Sequence, residues 1–338
     1  MLKTTTLYSL RDICTLPTRT TSIKSRKECD ILVDNIELSG LQRYPIISAP
    51  MSCVINDESR VSEFYESKIN VVVPRTIDFD KRIELSETIM CAFSLEEAKK
   101  ILFMPDGGGT RKFCICLDMA NGHMLAQINL GKQLRERFED RLVLMGGNIA
   151  NPETYAEYNA SGFDYVRISI GTGGGCLTST QTSVSYPMAS LINDMAEVKR
   201  KLEPIMPGRC KIVADGGIDC YSDIIKCLAL GADYVMMGKI FSQAAFKGEK
   251  VGDATQYYGM STKYAQTLMG ADKDKLKTSE GKFLQLEKKY TLTGWSENFA
   301  DYLRSAMSYC DSRNLAEFKE KAICQVISPN SAIKINDK

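Results

Sequence analysis

Residues 211–238 read KIVADGGIDCYSDIIKCLALGADYVMMG. The run KIVAD ends in Asp215 and two glycines, an amphipathic stretch YSDIIKCLALGA follows with Gly231 after its last turn, and DYVMMG (233–238) closes the segment. Four or five continuous apolar residues suit a strand buried on both faces, as in a parallel sheet. Two such strands joined by a helix make a right-handed β-α-β crossover.

The same alternation extends upstream. Strand-like runs occur at 45–49 (PIISA), 70–73 (NVVV), 88–92 (TIMCA), 113–117 (FCICL), 142–146 (LVLMG) and 164–168 (DYVRI). Helical stretches lie between them: SRVSEFYESK, SLEEAKKILF, LAQINLGKQLRERF, PETYAEYNASG and MASLINDMAEVKRKL, with start signals at Ser94 and Pro152 and a stop at Gly162. Eight strands in this order predict a single-domain (β/α)8 TIM barrel over residues 1–338, although the pattern alone also admits a doubly wound sheet. A barrel puts its active site where the strands end. The polar and glycine-rich groups fall there: APMS, PRT, DMANG, GGN, GTGGGC, DGG and GK. Residues 247–294 follow the eighth strand, are charged and weakly periodic, and are expected to form a mobile active-site loop region.

The chain has 338 residues with 43 Lys+Arg against 42 Asp+Glu, a balance that gives no support to a nucleic-acid role. No run is long and apolar enough for a secretory signal or a membrane span. Its 12 cysteines are scattered without a C-x-x-C pair and there is 1 histidine, His123, so a metal cluster is not expected and a reducing cytoplasm is.

The loop GTGGGC (171–176) ends in Cys176, with Thr178 two residues on. It is neither a P-loop nor a dinucleotide fingerprint, because its spacing differs and no Gly-Lys-Ser/Thr follows. The glycines suit a simple turn, a phosphate cradle, or a device for placing one sulfur. A thiol in a polar loop becomes a nucleophile where its thiolate is stabilised, and Thr178 is placed to exchange a proton with it.

Taken together, GTGGGCLTSTQTSVSYP, VADGGIDCYSDIIKCLALGADYVMMGKIF, YYGMS (257–261), ISAPMSCV and CLDMANG resemble, in consistent order from about residue 8 to 325, the IMP dehydrogenase and GMP reductase family. That resemblance implies a (β/α)8 barrel and a homotetramer. Dehydrogenases of this family usually insert a regulatory pair of domains after the second strand, for which this chain has no room, and carry an Arg-Tyr pair in the flap. Here the flap reads TKYAQTLMGADKDKLKTSEGK, which lacks that pair and resembles the reductase loop.

The implied activity is NADPH-dependent reductive deamination of GMP to IMP through a thioimidate on Cys176, with Thr178 and Glu280 as proton relay. Implied nucleotide contacts are Ser48, Met51, Gly173, Gly174, Asp215, Gly216, Gly217, Gly238, Lys239, Tyr258, Gly259, Met260 and Ser261. Implied cofactor contacts are Arg75, Asp118, Ala120, Asn121, Lys277 and Ser279. Carbonyls of Gly171, Gly173 and Cys176 are implied as ligands of a monovalent cation such as K+. Other readings are a minimal IMP dehydrogenase, oxidising IMP to XMP with NAD, and a non-catalytic purine-nucleotide-binding protein. The chain departs from the family at Gly174, where a serine is usual, and at Lys239, where a second glycine is usual. It also departs at Pro74-Arg75-Thr76, where a Lys flanked by histidines is usual, and at Leu177, where a polar residue is usual. Lys239 is expected to supply charge where the serine hydroxyl is lost.

Overall fold

The computed structural model describes residues 3–105, 109–207, 210–276 and 278–336. Its centre is a parallel sheet of 8 strands. They are β1 (Ile46–Ser48), β2 (Asn70–Val71), β3 (Cys91–Phe93), β4 (Phe113–Leu117), β5 (Leu142–Ile149), β6 (Tyr165–Ile168), β7 (Lys211–Asp215) and β8 (Tyr234–Met237). Each strand pairs with its sequence neighbour, apart from β2 and β3, and β8 pairs with β1, with Met236 opposite Ile47. The remaining gap closes just beyond β2. There Val73 bridges Cys91, its N–H donates to the Met90 carbonyl at 2.9 Å, and Ala92 N–H donates to the Val73 carbonyl at 2.9 Å. The sheet is therefore a closed ring, which decides for the barrel over the doubly wound alternative.

Side-chain alternation sorts the core into two layers. Ile47, Ala92, Cys114, Cys116, Val143, Met145, Tyr165, Val213, Tyr234 and Met236 fill the lumen. Their neighbours Ile46, Cys91, Phe93, Ile115, Leu144, Val166, Ile212 and Val235 face the helices. Those helices are α1 (Ser59–Glu66), α2 (Phe79–Leu85), α3 (Leu95–Phe103), α4 (Leu125–Phe138), α5 (Thr154–Ala160), α6 (Met188–Leu202), α7 (Tyr221–Leu230) and α8 (Leu292–Tyr309). Ser94 caps α3, and its side chain accepts from Glu97 N–H. Gly231 ends α7 at φ 115°, a left-handed conformation that glycine adopts without strain.

Two expectations shift. The third strand starts at Cys91 rather than Thr88, because residues 88–90 turn out of α2 and only the Met90 carbonyl reaches the sheet. The helix α2, at 7 residues, is too short to show a helical period, and its one sequence signal is Asp78, whose carboxylate caps Asp80 and Lys81. The region after β8 holds an antiparallel hairpin of β9 (Ala254–Tyr258) and β10 (Phe283–Glu287), with Tyr258 opposite Phe283. Among the described residues, no helix is long and apolar enough to cross a membrane.

Helix α4 packs closely against the segment leading into β6. A Cβ added at Gly131 would lie 2.2 Å from Phe163 Cζ, and Phe163 is fully buried. Gly131→Ala is therefore expected to cost about 1–3 kcal/mol by overpacking, read as a lower midpoint in chemical unfolding. An unchanged midpoint would show that α4 and Phe163 are less closely packed.

Candidate active site

The C-terminal ends of the strands surround a cleft of about 410 Å³. Around its rim, backbone presses against backbone. Gly171 sits at φ 77°, and a Cβ there would meet the Val184 carbonyl oxygen at 2.8 Å. A Cβ at Gly217, φ 75°, would meet the Thr172 carbonyl oxygen at 2.9 Å. The glycines therefore let the β6 and β7 loops close on each other, so their function is close approach rather than slack.

That loop presents Cys176. Its N–H donates to the Gly173 carbonyl at 2.9 Å, which turns the chain just before the sulfur. Cys176 then pairs antiparallel with Gly281. Leu177 N–H donates to the Glu280 carbonyl at 2.6 Å and Lys282 N–H to the Gly175 carbonyl at 2.9 Å. This strand-like contact brings the end of the flap onto the cysteine loop and lines up three side chains. The Cys176 thiol donates to Thr178 Oγ1 at 3.2 Å, and Thr178 Oγ1 donates to Glu280 Oε2 at 2.5 Å. Thr178 N–H also points at the sulfur, at 3.4 Å. A proton leaving the sulfur thus has a continuous path to a carboxylate.

Another part of the lining is charged and partly buried. Arg167 lies within β6 and is 3% exposed. It reaches Asp118 Oδ1 at 2.7 Å, while Arg75 Nε donates to Asp118 Oδ2 at 3.2 Å. Burial pushes the Asp118 carboxyl upward, but the two guanidinium charges outweigh it and hold the group below the usual carboxylate range. Asp215, at the end of β7, receives a hydrogen bond from Asn148 Nδ2 at 2.8 Å. Burial raises its pKa against the opposing pull of Arg167 and Asn148.

Met51, Arg75, Asp118, Ala120, Gly171, Gly173, Cys176, Thr178, Asp215, Gly216, Gly238, Gly259, Met260, Ser261 and Glu280 all line the cleft. Several expected residues do not. Ser48 is fully buried, and the alternation that turns Ile47 into the lumen turns Ser48 toward the helices. Tyr258 is engaged elsewhere, its hydroxyl 2.9 Å from Ser52 Oγ and its ring stacked on Phe283. Its neighbour Tyr257 lines the cleft instead, with its ring 3.1 Å from where a Cβ on Gly175 would stand. Asn121 turns away to accept from His123, and Ser279 hydrogen-bonds locally with Gly281 while Thr278 reaches the cleft. Lys277 lies outside the described residues.

Gly174, Gly217 and Lys239 are also absent from the lining, and Gly174 and Lys239 lie against each other. A Cβ on Gly174 would stand 3.6 Å from Lys239 Cδ, and Lys239 Nζ bonds Asp219 at 3.0 Å. Of the three carbonyls expected to hold a monovalent cation, that of Gly173 accepts Cys176 N–H at 2.9 Å and keeps a second lone pair.

Sequence reasoning missed Arg167, Asn148 and Tyr257. Arg167 had a signal, since an arginine inside the apolar run DYVRI must find a buried partner. Asn148 stood in the polar group GGN without a role, and Tyr257 differs from Tyr258 only by the strand alternation.

Residues 111–335 match the model of the IMP dehydrogenase / GMP reductase domain. The chain is 28% identical to GMP reductase 1 of Mus musculus over 335 residues, covering 92% of each chain. It is 26% identical to GMP reductase of Onchocerca volvulus over 333 residues, covering 92% of this chain and 88% of the relative. It is 27% identical to GMP reductase of Vibrio vulnificus over 332 residues, covering 92% of each. With two thirds of its length matched by the family's own domain, the chain belongs to the IMP dehydrogenase / GMP reductase family.

Proposed function

We propose that the protein is a purine-nucleotide oxidoreductase that converts GMP to IMP and ammonia at the expense of NADPH, through a covalent thioimidate on Cys176. The observation that carries this reading is the hydrogen-bonded chain from Cys176 through Thr178 to Glu280, completed by the pairing of Cys176 with Gly281.

Proton flow through that chain frees the thiolate, which forms a bond to C2 of the purine. Glu280, now protonated, returns the proton through Thr178 to the departing amine, and the C2–N bond breaks with its electron pair on nitrogen. Ammonia leaves and the sulfur remains attached to C2. The nicotinamide, when bound, supplies a hydride to that carbon. Cys176 then departs with the C–S electron pair, leaving IMP. Nucleophilic catalysis in this way divides one difficult substitution into two easier steps.

Other residues hold the nucleotide. Asp215, supported by Asn148, accepts from the ribose hydroxyls, and Met260 and Ser261 flank the base. Arg75, Met119, Ala120 and Thr278 line the cleft and offer both polar and apolar surface, a mixture that fits a nicotinamide ring with its amide. Lys239 approaches the 5′-phosphate. Its present partner Asp219 is a partly exposed ion pair, with side chains 32% and 47% accessible, so exchanging it for a phosphate dianion costs little. Lys239→Ala is accordingly expected to weaken GMP binding about tenfold, measured as KM and by calorimetry, with kcat much less affected. Unchanged affinity would remove Lys239 from the site.

Supporting observations for the reductase over the dehydrogenase are the flap sequence without an Arg-Tyr pair and the placement of Glu280 against Thr178. The free thiols suit a reducing cytoplasm, and the family resemblance supports a homotetramer. The test is to supply GMP with NADPH, then IMP with NAD, and follow reduced-cofactor absorbance together with ammonia. NADPH consumption matched by ammonia release is expected. NADH formation from IMP would assign the dehydrogenase reaction, and nucleotide binding without turnover would assign a binding protein.

A further inference from the structure

The single histidine of the chain lies outside the proton relay, yet both of its ring nitrogens are engaged beside the cleft. His123 Nε2 receives two backbone N–H groups from the neighbouring loop, Ala150 at 3.1 Å and Asn151 at 3.2 Å. An atom that accepts twice must carry its lone pair, so the ring proton resides on Nδ1. Nδ1 faces Asn121 Oδ1 at 3.0 Å, and the same oxygen accepts His123 N–H at 3.1 Å. The two bonded loops are those after β4 and β5. The first begins with Asp118, Met119 and Ala120 in the cleft wall, and the second follows Asn148, which supports Asp215.

We infer that His123 is a positioning residue. In its neutral, Nδ1-protonated form it clamps the β4 loop to the β5 loop and so holds the cofactor-facing wall in register with the nucleotide-holding Asn148–Asp215 pair. This rests on the proposed NADPH-dependent reading for its kinetic consequence, though not for the clamp itself.

Protonating Nε2 would set a donor against two donors and release the β5 loop. The ionisable groups on the surrounding segments do not favour the charged form. Asp118 is neutralised by Arg75 and Arg167, the Tyr158 hydroxyl of α5 donates to the Gly122 carbonyl at 2.8 Å, and Glu153 is exposed. Burial holds the imidazole below its ordinary value of 6.5. Because the folded form binds this proton less readily than the unfolded chain, the clamp's contribution is complete above pH 6.5 and is lost as pH falls through the folded pKa.

The experiment uses full-length protein labelled with 15N-histidine, which gives a single imidazole spin system. The Nδ1–H tautomer and a midpoint below 6.5 are expected. For His123→Phe, a higher KM for NADPH and a kcat lowered about tenfold are expected, with KM for GMP nearly unchanged. His123→Gln, whose amide oxygen can again accept from Ala150 and Asn151, should recover most of the rate and lose the acid limb of the pH profile. An Nε2–H tautomer, wild-type kinetics in His123→Phe, or an acid limb that persists in His123→Gln would overturn the inference. The spectroscopic readout needs no turnover, so failure of the proposed reaction and failure of the clamp are separately visible.

Discussion

Cys176→Ala is expected to lower kcat for GMP reduction by at least about 10⁴-fold, while GMP still binds within about threefold of the wild-type affinity. The reason is a division of labour in the proposed function. Under that reading Asp215, Lys239 and the close-packed glycine loops hold the nucleotide, whereas the sulfur's hydrogen bonds run to the Thr178 hydroxyl and N–H. Removing the sulfur takes away the group that forms the covalent bond and leaves the holding groups in place. The alanine fits, since it deletes one half-buried atom in a loop set by the Gly173 and Glu280 carbonyls. Stopped-flow loss of NADPH absorbance and calorimetric titration with GMP provide the two numbers. A variant that kept turnover would show that the thiol is dispensable.

The second large effect is expected at the far end of the relay. Glu280→Gln keeps an oxygen that accepts from Thr178 but cannot take up the proton, so ammonia release should slow about 10²–10³-fold. The hydride step itself draws no proton from this chain, so the reaction from IMP and oxidised cofactor, which needs the chain only to free the thiolate, should lose less than ammonia release does. Thr178→Val interrupts the same path in the middle. The double variant should therefore be no slower than the worse single one, as for groups that act as a unit. Multiplicative losses would mean that Thr178 and Glu280 serve separate steps.

Much of this arrangement is legible in the sequence because it is local. FCICL and KIVAD are continuous apolar runs, and the strands they predict match residue for residue. Closure of the ring is not legible, because it depends on Val73 meeting Cys91 across a turn and a short helix that leave no periodic signal. The same distinction holds at the site. Cys176 and Thr178 are neighbours in the chain and carry a readable motif. Glu280 joins them only through the pairing of Gly281 with Cys176, which composition and periodicity do not reveal and which only the register of the family's motifs suggests. Ser48 and Tyr258 do not line the cleft, for one common reason. In strands, adjacent residues face opposite ways, so an assignment correct to within one position lands on the wrong face. Ile47 and Tyr257 occupy the inner faces in their place. Arg167 is the reverse case, since a guanidinium within an apolar strand requires a buried anionic partner, and Asp118 provides it.

The most direct test of the covalent route is mass spectrometry on acid-quenched single turnovers. Excess enzyme is mixed with GMP and NADPH, and in a parallel series with IMP and oxidised cofactor. Loss of ammonia from one side and of hydride from the other lead to the same adduct. Both series are expected to place one identical mass, GMP less ammonia, on the peptide containing Cys176. An adduct on any other cysteine, or a single turnover completed with Cys176 unmodified at every quench time, would contradict the covalent mechanism.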